Sequence, residues 1–187
     1  YSAGGANVAH GARALTGLGV GVGPDDASCA PMMEELLNAY EQHLAVDTVL
    51  FPGLAEVLDW LDAQQLPWGI VTNKPARFTG PVLEGLNLHQ RVGPVICPDH
   101  VKQRKPDPEG LLIAAHDDNV SPANCLYVGD HLRDIQAGQN AGMETAVAAF
   151  GYIDADDDPR GWQANYYLEQ GSELLPLLQK LYEQKAH

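Results

Sequence analysis

Apolar residues recur at helical spacing near the start of the chain and then settle into alternating strand and helix signatures. Between Pro31 and Leu44, the residues Met32, Met33, Leu36, Leu37, Tyr40 and Leu44 share one helical face, with Ser28 near a capping position and Pro31 suited to the first turn. After the break at Phe51-Pro52-Gly53, a second helical face runs through Leu54, Val57, Leu58 and Leu61. Trp68-Gly69-Ile70-Val71 then reads as a short buried strand, bounded by Pro67 and by polar Thr72-Asn73. The alternation continues with a helix from Phe78 to Leu86, apolar Val95-Ile96-Cys97, and a helix from Pro108 to Asn119. It closes with the strand Cys125-Leu126-Tyr127-Val128 ending in Gly129-Asp130, a helix from Leu132 to Ala141 and a strand-like run from Thr145 to Phe150.

This order predicts an α/β fold, a parallel sheet with helices on both faces, preceded by a small helical unit. Ligands of such sheets bind beyond the carboxyl ends of the strands, which singles out Thr72-Asn73 and Asp130. The glycines between Gly17 and Gly23 follow no strand and do not fit a dinucleotide-binding fingerprint, so they read as a connector. The acidic run from Asp154 to Asp158 lacks calcium-loop spacing and reads as a solvated loop.

Composition narrows the partners. The chain has 187 residues, 45% hydrophobic content and a formal net charge of −14, enough apolar material for one substantial core and the wrong sign for nucleic acid or an anionic membrane surface. Six of its eleven Lys and Arg (Lys74, Arg77, Arg91, Lys102, Arg104 and Lys105) nevertheless fall between Lys74 and Lys105, and they make either a local anion site or a solvated basic face. Cys29, Cys97 and Cys125 have neither disulfide-framework nor zinc spacing. No apolar run reaches bilayer length and no signal-peptide plan opens the chain, so a cytoplasmic protein of open oligomeric state is expected.

Three short segments carry the candidate chemistry. Thr72 and Asn73 offer a hydroxyl and an amide that donate to a phosphate oxygen, although Thr-Asn after a strand is also common turn chemistry. Lys105, ahead of Pro106-Asp107-Pro108, stands at a loop-to-helix junction, where the alternative is an ordinary exposed lysine. In Gly129-Asp130-His131-Leu132-Arg133-Asp134 a carboxylate at a strand tip is followed four residues on by another. Both can face one pocket and offer magnesium hard oxygens, while helix capping by Asp130 is the competing reading.

In this order, the three segments resemble motifs two, three and four of the haloacid dehalogenase superfamily, whose core is a Rossmann-like parallel sheet. Val71-Thr72-Asn73-Lys74-Pro75, Lys105-Pro106-Asp107-Pro108 and Val128-Gly129-Asp130 with Asp134 are similar to its phosphoglycolate phosphatase branch. Cys97-Pro98-Asp99-His100-Val101-Lys102 and Gly151-Tyr152-Ile153 with Pro159-Arg160 and Trp162 resemble N-acetylmuramic acid 6-phosphate phosphatases. The resemblance implies a partial helical cap over 1–47 and a hydrolase core over 48–187. It also implies hydrolysis of a small sugar or acid phosphate through an aspartyl-phosphate intermediate, with Mg2+ as cofactor. Thr72 would bind the transferring phosphoryl group, with Asn73 and Lys74 beside it, and Lys105 would neutralise charge on nucleophile and phosphate. Asp130 and Asp134 would hold the metal, and Arg13, in a cap loop, would contact the substrate, with an ordinary exposed arginine as the alternative reading.

One family feature has no counterpart in the sequence. The first motif, an apolar strand ending in Asp-x-Asp-Gly-Thr that supplies the nucleophile, is absent, since Asp25-Asp26 follows glycine-rich sequence and Asp154 to Asp158 comes too late. That strand would be central to the sheet. The expectation is a chain that is inactive or nearly so as given, its nucleophile lying in a segment not present in it. The competing expectation is a non-catalytic phosphate-binding or interaction module that has lost the nucleophile.

Overall fold

A computed structural model of the protein describes residues 49–185. The helix expected over Pro31 to Leu44, the cap over 1–47 and the candidate Arg13 lie outside the described residues.

The first helix, α1 (Leu54–Ala63), follows Gly53, whose positive φ of 89° makes the turn after Phe51-Pro52. Strand β1 is only Ile70–Val71 and pairs in parallel with β2 (Val95–Ile96), the two flanking α2 (Ala76–Gly85) in the chain. Arg91 clips the segment before β2 to α1 through ion pairs with Asp59 at 2.8 Å and Asp62 at 2.7 Å. Helix α2 starts two residues before the expected Phe78, because Asp99 Oδ2 accepts the Ala76 N–H at 3.0 Å and Pro75 stands at its cap.

Helix α3 (Glu109–Asp117) leads to β3 (Leu126–Gly129), α4 (Leu132–Asn140) and β4 (Glu144–Ala148), close to the expected ranges. Two elements had not been expected, β5 (Tyr166–Leu168) and α5 (Leu174–Lys185). Strands β3, β4 and β5 form a second parallel ladder in that order, with Val128 opposite Ala146 and Gly129 opposite Val147.

Side chains alternate between the two faces of this ladder, as the two-residue period of a strand requires. Leu126, Val128, Ala146 and Leu168 pack with Val57 and Leu54 of α1 and Leu174 of α5. On the opposite face, Tyr127 joins Leu111 of α3, Ala137 of α4 and Ala141 just after it, and Val147 joins Ile135 and Trp162. Helices therefore cover both faces, as expected.

The parallel strands make two ladders rather than one continuous sheet. The N–H groups of Ile70 and Thr72 point to β2 and bond Pro94 and Ile96 carbonyls at 2.8 and 3.0 Å, so the backbone groups of Val71 face the other edge of β1. There the Val71 carbonyl accepts from the side chains of Lys105 and Tyr127, each at 3.0 Å. Among the described residues, side chains rather than a backbone ladder connect β1 to β3.

Candidate functional site

The tips of β1 and β3 bring the predicted residues together. Beyond Val71, the Thr72 hydroxyl oxygen accepts the Lys74 N–H at 3.0 Å, a tight side-chain turn that leaves the hydroxyl proton available for donation. Asn73 donates its amide to the Lys105 carbonyl at 3.4 Å and links this turn to the loop before α3. A small cleft at the tips of β1 and β2 is lined by Thr72, Asn73, Cys97, Gln103, Arg104 and Lys105. Lys74 is partly buried, and the loss of solvent pushes its ammonium below its ordinary pKa.

Lys105 is not the exposed lysine that composition favours. Its side chain is 9% exposed, and its three ammonium protons meet three acceptors: Asp134 Oδ1 at 2.6 Å, the Tyr127 hydroxyl at 2.9 Å and the Val71 carbonyl at 3.0 Å. The Lys105–Pro106 peptide is cis. The loop carrying this lysine is held from below, where the Glu109 carboxylate accepts the N–H groups of Lys102 and Gln103 and Asp107 Oδ1 accepts the Glu109 N–H.

Asp134, whose side chain is 7% exposed, has both oxygens engaged. Oδ1 takes Lys105, and Oδ2 accepts the N–H groups of Asp130 and His131 at 3.2 and 3.1 Å, so it caps α4 from within its first turn. The helix-capping role weighed for Asp130 thus belongs to Asp134. Gly129 permits the approach, since a Cβ there would collide with the Asp134 side chain.

Asp130 keeps a different posture at the tip of β3. Its Oδ2 accepts the Tyr152 N–H at 2.9 Å, and Oδ1 has no hydrogen bond among the described residues. No group of three or more His, Cys, Asp and Glu side chains among the described residues forms a closed metal cage. Magnesium does not require one, since it binds through one or two carboxylates and keeps several waters. An Asp130 oxygen without a hydrogen bond among the described residues, with Asp134 fixing the loop that carries it, therefore suits that ion.

Sequence reasoning missed Tyr127. Its hydroxyl accepts from Lys105 and donates to the Val71 carbonyl, and the Lys105 ammonium stands 5.5 Å from its ring centroid. Burial first, then the charges of Asp134 and Asp130, raise its pKa far above the ordinary value, so it stays protonated and keeps both roles. Glu109, the brace of the Lys105 loop, was missed as well.

This pairing of a Thr-Asn turn, a buried lysine and a carboxylate-bearing strand tip on a parallel α/β core defines a family. The profile of haloacid dehalogenase-like hydrolases matches residues 20–148, and the chain belongs to that family. It is 41% identical over 167 residues to an N-acetylmuramic acid 6-phosphate phosphatase of Pseudomonas putida, covering 89% of this chain and 75% of that protein. It is 40% identical over 150 residues to a phosphoglycolate phosphatase of Xanthomonas campestris, covering 80% and 68%. The fold matches a crystal structure from Haemophilus somnus described as a predicted phosphoglycolate phosphatase. That match has a TM-score of 0.73 at 22% identity, with 78% of this chain and 64% of that one covered.

Proposed function

We propose that this chain belongs to a magnesium-dependent phosphatase that hydrolyses a small sugar or acid phosphate. The observation that carries the reading is the convergence of Thr72, Asn73 and Lys105 at the tip of β1 with Asp130 and Asp134 at the tip of β3. Relatives bearing the names N-acetylmuramic acid 6-phosphate phosphatase and phosphoglycolate phosphatase support the reaction class. The candidate substrates are those two esters, with N-acetylmuramic acid 6-phosphate slightly ahead. The buried thiol of Cys97 accords with a cytoplasmic setting.

In this reading the Thr72 hydroxyl and the Asn73 amide receive the phosphoryl oxygens, and Lys74 adds positive charge at the rim. Lys105 offsets negative charge on nucleophile and phosphate, and Asp130 holds Mg2+ through Oδ1. The ion supplies charge neutralisation at the transferring phosphoryl group. Asp134 keeps Lys105 and the Asp130 loop in register. For Arg13, substrate contact is proposed on the sequence resemblance alone.

Among the described residues, the carboxylate facing Lys105 is Asp134, already engaged on both oxygens. We therefore assign to a carboxylate on a strand paired between β1 and β3 the attack on phosphorus that breaks the ester P–O bond and forms an aspartyl-phosphate. The second carboxyl of the Asp-x-Asp-Gly-Thr motif protonates the departing alcohol, and water later opens the intermediate. An N–H from that strand would take over the Val71 carbonyl and release one Lys105 proton towards the incoming carboxylate. Joining an apolar strand ending in Asp-x-Asp-Gly-Thr to this chain, and assaying phosphate release from both esters, tests the reading. Release confined to the joined protein is expected, whereas vigorous turnover by the chain alone would overturn the assignment of the nucleophile. Phosphate binding without turnover in the joined protein would favour the non-catalytic module.

A further inference from the structure

The segment Gly151-Tyr152-Ile153 stands out in the sequence, yet none of its side chains enters the chemistry above. Its backbone does. Strand β4 ends at Ala148, and the Gly151 N–H closes a turn onto the Ala148 carbonyl at 3.0 Å. The ladder register sets Val147 opposite Gly129, so this turn rises beside Asp130, and the Tyr152 N–H reaches Asp130 Oδ2 at 2.9 Å.

We propose that Gly151 and the backbone N–H of Tyr152 form a positioning clamp that fixes the Asp130 carboxylate with Oδ2 held and Oδ1 turned outward to a divalent cation. The inference rests on the reading of Asp130 as the metal-binding carboxylate. Three observations converge on the clamp. The hydrogen bond occupies one of the two carboxylate oxygens and so fixes which one is free. A Cβ at position 151 would lie 2.6 Å from both Cβ and Oδ2 of Asp130, so only glycine lets the turn come this close without moving the carboxylate. The turn itself is pinned, because the Phe51 ring packs edge-on against Phe150 and Tyr152, with centroids 5.4 and 5.9 Å away.

Hydrogen-bonding partners of metal ligands typically change metal affinity by about 10- to 100-fold when removed. The test is a Mn2+ titration, followed by electron paramagnetic resonance and competed with Mg2+, on the full chain and four variants. Asp130→Asn tests the metal reading itself. Gly151→Ala displaces the carboxylate, Tyr152→Pro removes the donor, and Gly80→Ala, in α2 with open space around its Cβ position, is the control. The clamp predicts that Gly151→Ala and Tyr152→Pro weaken Mn2+ binding by roughly tenfold or more, while Gly80→Ala matches the parent chain.

If Asp130→Asn abolishes binding but Gly151→Ala binds like the parent, the clamp is wrong and the metal reading stands. If Asp130→Asn binds like the parent, or no chain binds Mn2+, both fail. A second readout avoids any variant that folds poorly at the turn: hydrogen exchange at the Tyr152 amide should accelerate in Asp130→Ala. Unchanged exchange there would equally overturn the clamp.

Discussion

Lys105 and Asp134, 29 residues apart in sequence, meet at 2.6 Å with side chains only 9% and 7% exposed. The pair joins the loop before α3 to the first turn of α4. Removing one partner of a buried pair leaves the other charge desolvated, which typically costs about 3–5 kcal/mol. Lys105→Met should therefore destabilise strongly in urea unfolding. The double variant Lys105→Met/Asp134→Leu should recover part of that loss despite carrying more changes. Additive losses would contradict the coupling.

Tyr127→Phe keeps the ring against Leu111 and Ala137 but removes the hydroxyl that serves both Lys105 and the Val71 carbonyl. A stability loss of about 1–3 kcal/mol is expected from the two hydrogen bonds. In an active form of the protein, kcat should fall more than KM rises, because the hydroxyl orients a lysine that acts on developing charge. A pure KM effect would argue against that role.

Burial lowers the Lys74 pKa below 10.5, so between the folded value and 10.5 the unfolded chain binds more protons than the folded one. Stability attributable to this group accordingly rises with pH through that window, and its cost is complete below it. Lys74→Met should raise Tm at neutral pH, and the gain should shrink towards zero above pH 10.5. A gain independent of pH would show that desolvation is not the cause.

Thr72→Val keeps the β-branched shape but removes both the donor proton and the acceptor of the Lys74 N–H. Loss of one preorganised donor to a developing oxyanion typically lowers kcat about 100- to 1000-fold. Thr72→Ser, which keeps the hydroxyl, should recover most of that loss in steady-state assays.

Much of the core was legible because period and punctuation agree. Val71 and Val128 end apolar runs at Thr72 and at Gly129-Asp130, and α3 and α4 carry regular apolar faces, so both strand tips could be located. Strand β5, Tyr166–Leu168, has two tyrosines and a single aliphatic residue, so it lacks the aliphatic run that marked β1 and β2. Helix α5 has a regular apolar face in Leu174, Leu178 and Leu181, but no strand signal nearby drew attention to it. Tyr127 stayed hidden because an apolar run makes its ring look like core, and the carbonyl its hydroxyl meets is 56 residues away in sequence. The clamp at Gly151 was hidden likewise, since a turn donor leaves no mark on the residue that supplies it. Arg13 falls outside the described residues, so only its sequence speaks for it.

The most direct test is magnesium-dependent phosphate release from N-acetylmuramic acid 6-phosphate and phosphoglycolate by the chain joined to an apolar strand ending in Asp-x-Asp-Gly-Thr, with Asp130→Asn in parallel. The account predicts release from at least one ester that needs Mg2+ and collapses in Asp130→Asn. Undiminished release by Asp130→Asn, or none from either ester by the joined protein, would contradict it.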